Sequence, residues 1–149
     1  MKRILRLLLA VVAGFVIGSL VNMGLIMLGG VLIAPPAGAD VNTMEGLKAA
    51  MHLFGPRHFL FPFLAHALGT LFGAAAACLL SPQRSSGPAY IVAALFLLGG
   101  IAAVFMLPSP IWFDAVDLIF AYLPLAWLGQ RVVRNFPQST ASAKPLAPA

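Results

Sequence analysis

The chain has 149 residues, of which 61% are apolar and only 9% are charged. Soluble domains are roughly 45–50% apolar and about 25% charged, so this chain has too few polar side chains to cover a water-soluble globule. Disorder is excluded as well, because it requires low hydrophobicity and high charge. The composition therefore predicts an integral membrane protein with a single domain.

The net charge of +5 comes from basic residues that are scattered over separate segments. Nucleic-acid binding requires a basic stripe with interleaved aromatic residues, so we expect no nucleic-acid partner. Cys78 is the one cysteine, which excludes an intrachain disulfide. We expect it to be a small apolar residue inside a helix.

Four continuous apolar runs are each long enough to cross a bilayer as a helix, which needs roughly 20 residues. They cover about residues 5–33, 59–80, 90–107 and 111–128. The strands of a membrane barrel would alternate polar and apolar residues, so we expect an all-α four-helix bundle. This transmembrane domain covers residues 1–136. Residues 137–149 are rich in Ser, Thr, Ala and Pro, and we expect them to form a disordered cytoplasmic tail.

The distribution of Lys and Arg predicts how the bundle is oriented. One side carries seven basic residues and no acid: Lys2, Arg3, Arg6, Arg84, Arg131, Arg134 and Lys144. The other side carries two basic and two acidic residues: Lys48, Arg57, Asp40 and Glu45. Because the side richer in Lys and Arg faces the cytoplasm, we expect both termini to be cytoplasmic. A cleaved signal peptide ending near Ala37-Gly38-Ala39 is an alternative, but the first run is nearly twice as long as the apolar region of a signal peptide, which has about 7–15 residues.

The outer loop, residues 34–58, is expected to contain a short amphipathic helix. Asn42 stands three residues before Glu45, which is typical of a capping box, and Gly55-Pro56 is typical of a helix end. Apolar residues recur at helical spacing at Met44, Leu47, Met51 and Phe54. The helix is predicted to lie on the outer membrane surface or over the bundle. The loop's candidate contact residues are Glu45, His52, Arg57 and His58, the last two at lipid phosphates.

Small residues recur every four positions on the first two spans. Gly14 and Gly18 form such a ridge on the first span, and Gly69 and Gly73 form one on the second. In lipid, helices associate through close packing of small residues. We therefore expect the first two spans to pack together, with self-association through a free ridge as the alternative.

The polar groups inside the spans are predicted to share one depth in the outer half of the membrane. They are Asn22, His66, Thr70, Asp114 and Asp117. A carboxylate in hydrocarbon is costly unless it is paired or hydrated, so Asp117 is expected to face the interior. We expect it to pair with His66, with Asn22 as a further donor. Each group also has a structural interpretation: interhelical contact for Asn22, a satisfied interior histidine for His66, and a hydrated or capping acid for Asp114.

Motifs of known chemistry are lacking. The sequence has no Gly-x-Ser-x-Gly, P-loop or dinucleotide fingerprint, and its histidines do not have metal-ligand spacing. We therefore expect no catalytic residue, no metal site and no cofactor.

Several segments of the chain carry a family likeness: residues 52–59 and 61–70, Val21-Asn22-Met23-Gly24, Pro35-Pro36-Ala37-Gly38, and Phe105-Met106-Leu107-Pro108-Ser109-Pro110 with Trp112. In these segments the chain resembles a family of small uncharacterised four-span membrane proteins of bacteria. The resemblance implies a multi-pass protein of the bacterial inner membrane. It implies no activity, substrate or cofactor.

Three functions remain open from the sequence, and the first is the one that the sequence favours. The first is an accessory or structural protein that acts through helix contacts with a second copy or with another membrane protein. The second is a proton- or cation-responsive transporter of small solutes that works as an oligomer. The third is an intramembrane acid–base enzyme, which requires His66 and Asp117 to lie within about 3 Å of each other on an outer cavity.

Overall fold

The computed structural model describes residues 1–137, which form α-helices and short 3-10 turns without a strand. The helices are α1 (Lys2–Leu32), α2 (Met44–Ala50), α3 (Leu60–Leu80), α4 (Ser86–Met106), α5 (Ile111–Phe120) and α6 (Leu123–Asn135). The 3-10 turns are Met51–Leu53, Pro56–Phe59 and Pro82–Arg84. The all-α fold predicted from the sequence is confirmed. Of the predicted tail, residues 138–149 lie outside the described residues.

Four helical stretches are long and apolar enough to cross a membrane: Lys2–Leu32, Pro56–Leu80, Ser86–Met106 and Ile111–Asn135. Two of their boundaries differ from the predicted spans. α4 begins at Ser86 rather than near residue 90, because Pro88 fits the first turn of a helix, whose N–H groups need no partner within the helix. The fourth stretch continues to Asn135 rather than ending near residue 128, because its last turns are helical but polar.

The fourth stretch, predicted as a span over about residues 111–128, is broken in its interior between α5 and α6. The chain leaves the helical conformation at Tyr122, whose φ is −112° and ψ is −83°. Pro124 follows two residues later. It has no N–H to donate to the carbonyl of Phe120, and its ring clashes with that carbonyl in a regular helix. Helix α6 therefore starts anew at Leu123.

Helices α1 and α3 pack with their backbones in contact along the predicted small-residue ridges. A Cβ atom added to Gly14 would lie 2.6 Å from the carbonyl oxygen of Gly73. One added to Gly18 would lie 2.6 Å from the carbonyl oxygen of Gly69. No side chain fits between the two backbones at either point. The two ridges therefore contact each other within the chain.

We call the end of the bundle formed by residues 33–59 and 107–110 the loop end, and the opposite end the terminal end. Helix α2 and the turn after it cover the loop end, where Met51, Phe59 and Phe113 form a buried cluster. The sequence predicted that this amphipathic segment lies either on the membrane surface or over the bundle. Its apolar face packs over the bundle.

The sequence predicted Asn42 as the cap of helix α2. In the structure Thr43 is the cap instead. The Thr43 hydroxyl accepts the N–H of Gly46 at 3.0 Å. Asp40 accepts the N–H of Asn42 at 2.9 Å and the hydroxyl of Thr43 at 3.0 Å. Asn42 is therefore held outside the helix, and these hydrogen bonds lower the pKa of the Asp40 carboxyl below its ordinary value.

Arg84 holds the terminal end together. Its guanidinium donates to the carbonyl oxygen of Val133 at 2.9 Å and to that of Phe136. The last carbonyls of a helix have no partner inside it, and an arginine is a suitable donor for them. The link between α3 and α4 is thereby fixed to the end of α6.

Candidate functional site

His66 and Asp117 meet inside the bundle. The Nδ1 atom of His66 lies 2.9 Å from each carboxylate oxygen of Asp117. The Tyr122 hydroxyl donates to Oδ2 of the same carboxylate at 2.8 Å. Asp117 is 4% exposed, so water does not solvate its carboxylate, and these contacts provide its hydrogen bonds instead. We call His66, Asp117 and Tyr122 the buried triad.

His66 and Asp117 lie at the same depth in the bundle. Each lies six residues from the loop-end start of its helix, a rise of about 9 Å. Thr70, one turn deeper on α3, is buried but does not touch the carboxylate. Its hydroxyl donates to the backbone carbonyl of His66 at 2.7 Å.

The break in the fourth span brings Tyr122 to Asp117. In a regular helix, residues five apart point about 140° away from each other, so a tyrosine could not reach back to the acid. Leaving the helical conformation at Tyr122 removes this obstacle. Gly100 of α4 provides the space, since a Cβ atom there would lie 2.7 Å from Cζ of Tyr122.

The geometry of the pair fixes the role of each imidazole nitrogen. Both neighbours of Nδ1 are carboxylate oxygens that accept hydrogen bonds, so Nδ1 carries a proton. Nε2 makes no hydrogen bond within the described residues, and His66 lies on the wall of a cavity. Of the two ring nitrogens, Nε2 is therefore the one that Asp117 does not engage.

The cavity has a volume of about 420 Å³ and lies between α1, α3, α4, α5 and the loop end. Pockets of 300–1,000 Å³ are usual for small organic ligands. Five polar residues line it: His58, His66, Ser109, Asp114 and Asp117. The remaining lining is aliphatic, aromatic or glycine and proline, and it includes no Lys or Arg.

Asp114 is the second acid on the cavity wall. It lies in the first turn of α5, half-buried, and the Ser109 hydroxyl donates to its Oδ1 atom. It stands three residues closer to the loop end than Asp117. Asp114 and Asp117 thus line the same cavity from one helix.

Asn22 does not join the buried triad. It lies ten residues from the end of α1, about 15 Å deep, and so about one turn deeper than His66. Its backbone and Cβ atom face Gly69, whose added Cβ would lie 3.1 Å from Cβ of Asn22. Asn22 is thus part of the contact between α1 and α3 and does not line the cavity.

The four candidates of the outer loop have different surroundings. Glu45 and Arg57 are exposed and lie outside the cavity lining. His52 is exposed, with Nδ1 bonded to the carbonyl of Ala49 at 2.8 Å. His58 is half-buried and lines the cavity; the Gly55 N–H donates to its Nδ1 at 3.0 Å. In residues 1–137, no three His, Cys, Asp or Glu side chains are grouped as metal ligands.

Sequence reasoning missed Tyr122, Gly100 and Ser109. Tyr122 and Gly100 belong to apolar runs, and Ser109 belongs to a short link. Pro124 was the available signal, because a proline inside a span predicts a break and so a change in the direction of nearby side chains.

No protein-family model, no curated protein and no solved structure matches the chain. The resemblance to four-span bacterial membrane proteins therefore stays an expectation. The evidence for function comes from the site itself.

Proposed function

We propose that this membrane protein is a proton-responsive transporter that binds a small solute in the cavity beside the buried triad. The observation that carries the proposal is the position of His66. One ring nitrogen is bonded to Asp117, and the ring lies on the wall of a 420 Å³ cavity inside the spanning helices. Ionisable residues at such positions commonly mark the path of a proton or an ion.

Protonation at Nε2 changes the charge of the His66–Asp117 pair from −1 to zero. A unit charge in a medium of low dielectric acts more strongly on a bound solute than it does in water. Solute affinity therefore depends on the proton, and by reciprocity proton affinity depends on the solute. This coupling is what a proton-driven carrier requires.

The break at Tyr122 supports the same function. Interrupted helices frequently form the binding sites of transporters, because non-helical backbone inside a membrane has to be covered by protein or line a cavity. Here the interruption lies at Tyr122 itself, whose hydroxyl donates to Asp117. A change in the angle between α5 and α6 would therefore move the Tyr122 hydroxyl relative to the carboxylate.

Intramembrane acid–base catalysis is a second candidate. Its requirement, a separation of about 3 Å between His66 and Asp117 on a cavity, agrees with the 2.9 Å distance between Nδ1 and the carboxylate oxygens. Chemical turnover of a solute without its movement across the bilayer would favour this function. An accessory role has less support. The two glycine ridges face each other within the chain, so neither is left free to contact a second protein; they are formed by Gly14 and Gly18 on α1 and by Gly69 and Gly73 on α3.

We further propose that the protein lies in a bacterial inner membrane. The terminal end of the bundle would then face the cytoplasm, with both chain termini on that side. The excess of Lys and Arg there supports this orientation. Green fluorescent protein fused after Pro137 is expected to fluoresce, and alkaline phosphatase fused there is expected to be inactive. The opposite pair of results would reverse the orientation.

Proteoliposomes that contain a trapped pH dye test the transport function. Tetramethylammonium, choline, glycine, glucose and gluconate are added in turn, and internal pH is followed. At least one solute is expected to move protons through the wild-type protein, and Asp117→Asn is expected to abolish the signal. Glu45→Gln, which removes an exposed acid outside the cavity, is the matched control and should behave like the wild type.

His66→Gln is the second variant, for the case in which Asp117→Asn does not fold. Circular dichroism and size-exclusion chromatography establish folding before reconstitution. Equal proton movement in the wild type and in both folded variants contradicts the proposal, and so does a complete lack of proton movement with the five solutes.

A further inference from the structure

The ionisable groups on the cavity wall restrict the charge of a ligand. The lining contains two carboxylates, those of Asp114 and Asp117, and two imidazoles, those of His58 and His66. The wall therefore carries two negative charges when both histidines are neutral and none when both are protonated. With both carboxylates ionised it is not positive, and helices α1 and α4 add no ionisable residue to it.

Neither carboxylate has a fixed cation beside it. Within residues 1–137, Asp117 pairs with His66, and no Lys or Arg lies within ion-pair distance of either acid. Asp114 accepts a hydrogen bond from the neutral Ser109. A carboxylate between membrane helices is normally paired or hydrated, because its transfer into hydrocarbon costs several kcal/mol. The cavity thus has two acceptors of positive charge that the described residues do not neutralise with a Lys or Arg.

The rest of the wall fits an apolar group. Four phenyl rings line the cavity, those of Phe54, Phe59, Phe61 and Phe113. Phe59 and Phe113 pack together with their ring centroids 4.7 Å apart. Aromatic faces attract organic cations as well as apolar groups, and quaternary ammonium groups are the usual example. Aliphatic side chains from α1 and α4 complete the wall.

We propose that the cavity binds a small amphipathic organic cation. Its charged end lies toward Asp114 and the buried triad, and its apolar end lies against the phenyl rings. This inference rests on the proposed function and names its substrate class. Size agrees, because a cavity of about 420 Å³ is near the lower end of the range for small organic ligands.

Three probes of similar shape separate the effect of charge from that of shape: benzyltrimethylammonium, its neutral isostere neopentylbenzene, and the anion phenylmethanesulfonate. Binding is measured by titration calorimetry on the full chain in nanodiscs of zwitterionic lipid, and the heat of empty nanodiscs is subtracted. The cation is expected to bind at least tenfold more tightly than either analogue. Equal or tighter binding of an analogue, or no binding of any probe, overturns the inference.

Asp114→Asn is the variant that tests the site, because it keeps the shape of the side chain and removes its charge. It is expected to weaken benzyltrimethylammonium about tenfold and to leave neopentylbenzene unchanged. Glu45→Gln should change neither affinity. Unchanged cation affinity in a folded Asp114→Asn protein overturns the inference. Proton movement that depends on Asp117 would survive that result, so failure of the substrate class is distinct from failure of the transport function.

Discussion

Asp117 is a carboxylate whose contacts come from two directions, the imidazole of His66 on α3 and the hydroxyl of Tyr122 beyond the break in its own span. The two contacts have different consequences. The proposed transport function assigns proton exchange to the imidazole, whereas the tyrosine hydroxyl donates to Oδ2 and so orients the carboxylate. Tyr122 is therefore a positioning residue, and its removal should affect stability and the geometry of the pair.

Tyr122→Phe keeps the ring and removes the donor to Oδ2 of Asp117. Because that acceptor is buried and charged, we expect the free energy of unfolding to fall by about 1.5–3 kcal/mol. Unfolding by SDS titration in mixed micelles measures the loss. Tyr90→Phe is the control, since its hydroxyl accepts a longer, 3.3 Å bond from the neutral Gln130 amide. A loss in the control as large as that in Tyr122→Phe would contradict the special role of Tyr122.

The acidic residue before α2 should make that helix sensitive to acid. The pKa of Asp40 is lowered by its bonds to Asn42 and Thr43, so the ionised form stabilises the start of the helix. This stabilisation is complete above the unfolded pKa of about 3.9 and is lost as the pH falls through the lower folded value. Hydrogen exchange at the Asn42 and Gly46 amides is expected to show less protection as the pH falls through the folded pKa of Asp40. Asp40→Asn should remove this dependence on pH, and an unaltered profile in the variant would exclude Asp40 as its source.

At the scale of elements, the contact between α1 and α3 depends on the absence of side chains. Gly18 lies against the backbone of Gly69 and the ring of Phe96. Gly24, on the same helix, has no atom within 4 Å of the position of a Cβ. The same substitution at these two glycines should therefore have opposite effects, because only one of them faces another helix.

Gly18→Ala is expected to lower the free energy of unfolding by about 1–3 kcal/mol, because a Cβ atom there forces two backbones apart. Gly24→Ala is expected to be neutral or to stabilise by up to about 1 kcal/mol, since alanine is the better helix former. SDS titration of both variants compares them directly. A Gly18→Ala protein as stable as Gly24→Ala would show that the close approach does not contribute to the bundle.

At the scale of the whole molecule, the sequence predicts what depends on hydropathy and length and leaves open what depends on direction. The four spans follow from the length of the apolar runs, and the contact of His66 with Asp117 agrees with their equal depth. The separation of Asn22 from them could also have been predicted from its depth. The reach of Tyr122 to Asp117 could not, because a helical pattern places residues five apart on opposite faces. That contact depends on a break whose angle is set by tertiary packing and not by Pro124 alone.

If the cavity is the entry to a transport path, it contains water that communicates with the loop end. Ile26 and Met27 are neighbours at the same depth on α1, about 9 Å from its end. Ile26 lines the cavity, whereas Met27 is 67% exposed and lies outside the lining. A charged methanethiosulfonate reagent added at the loop end should therefore modify Ile26→Cys rapidly and Met27→Cys slowly, both in a Cys78→Ala background. A thiol in lipid stays protonated and out of the reagent's reach. Equally slow reaction at both positions would mean that the cavity is closed to water from that side, and the site would then require an opening movement before any solute could reach His66.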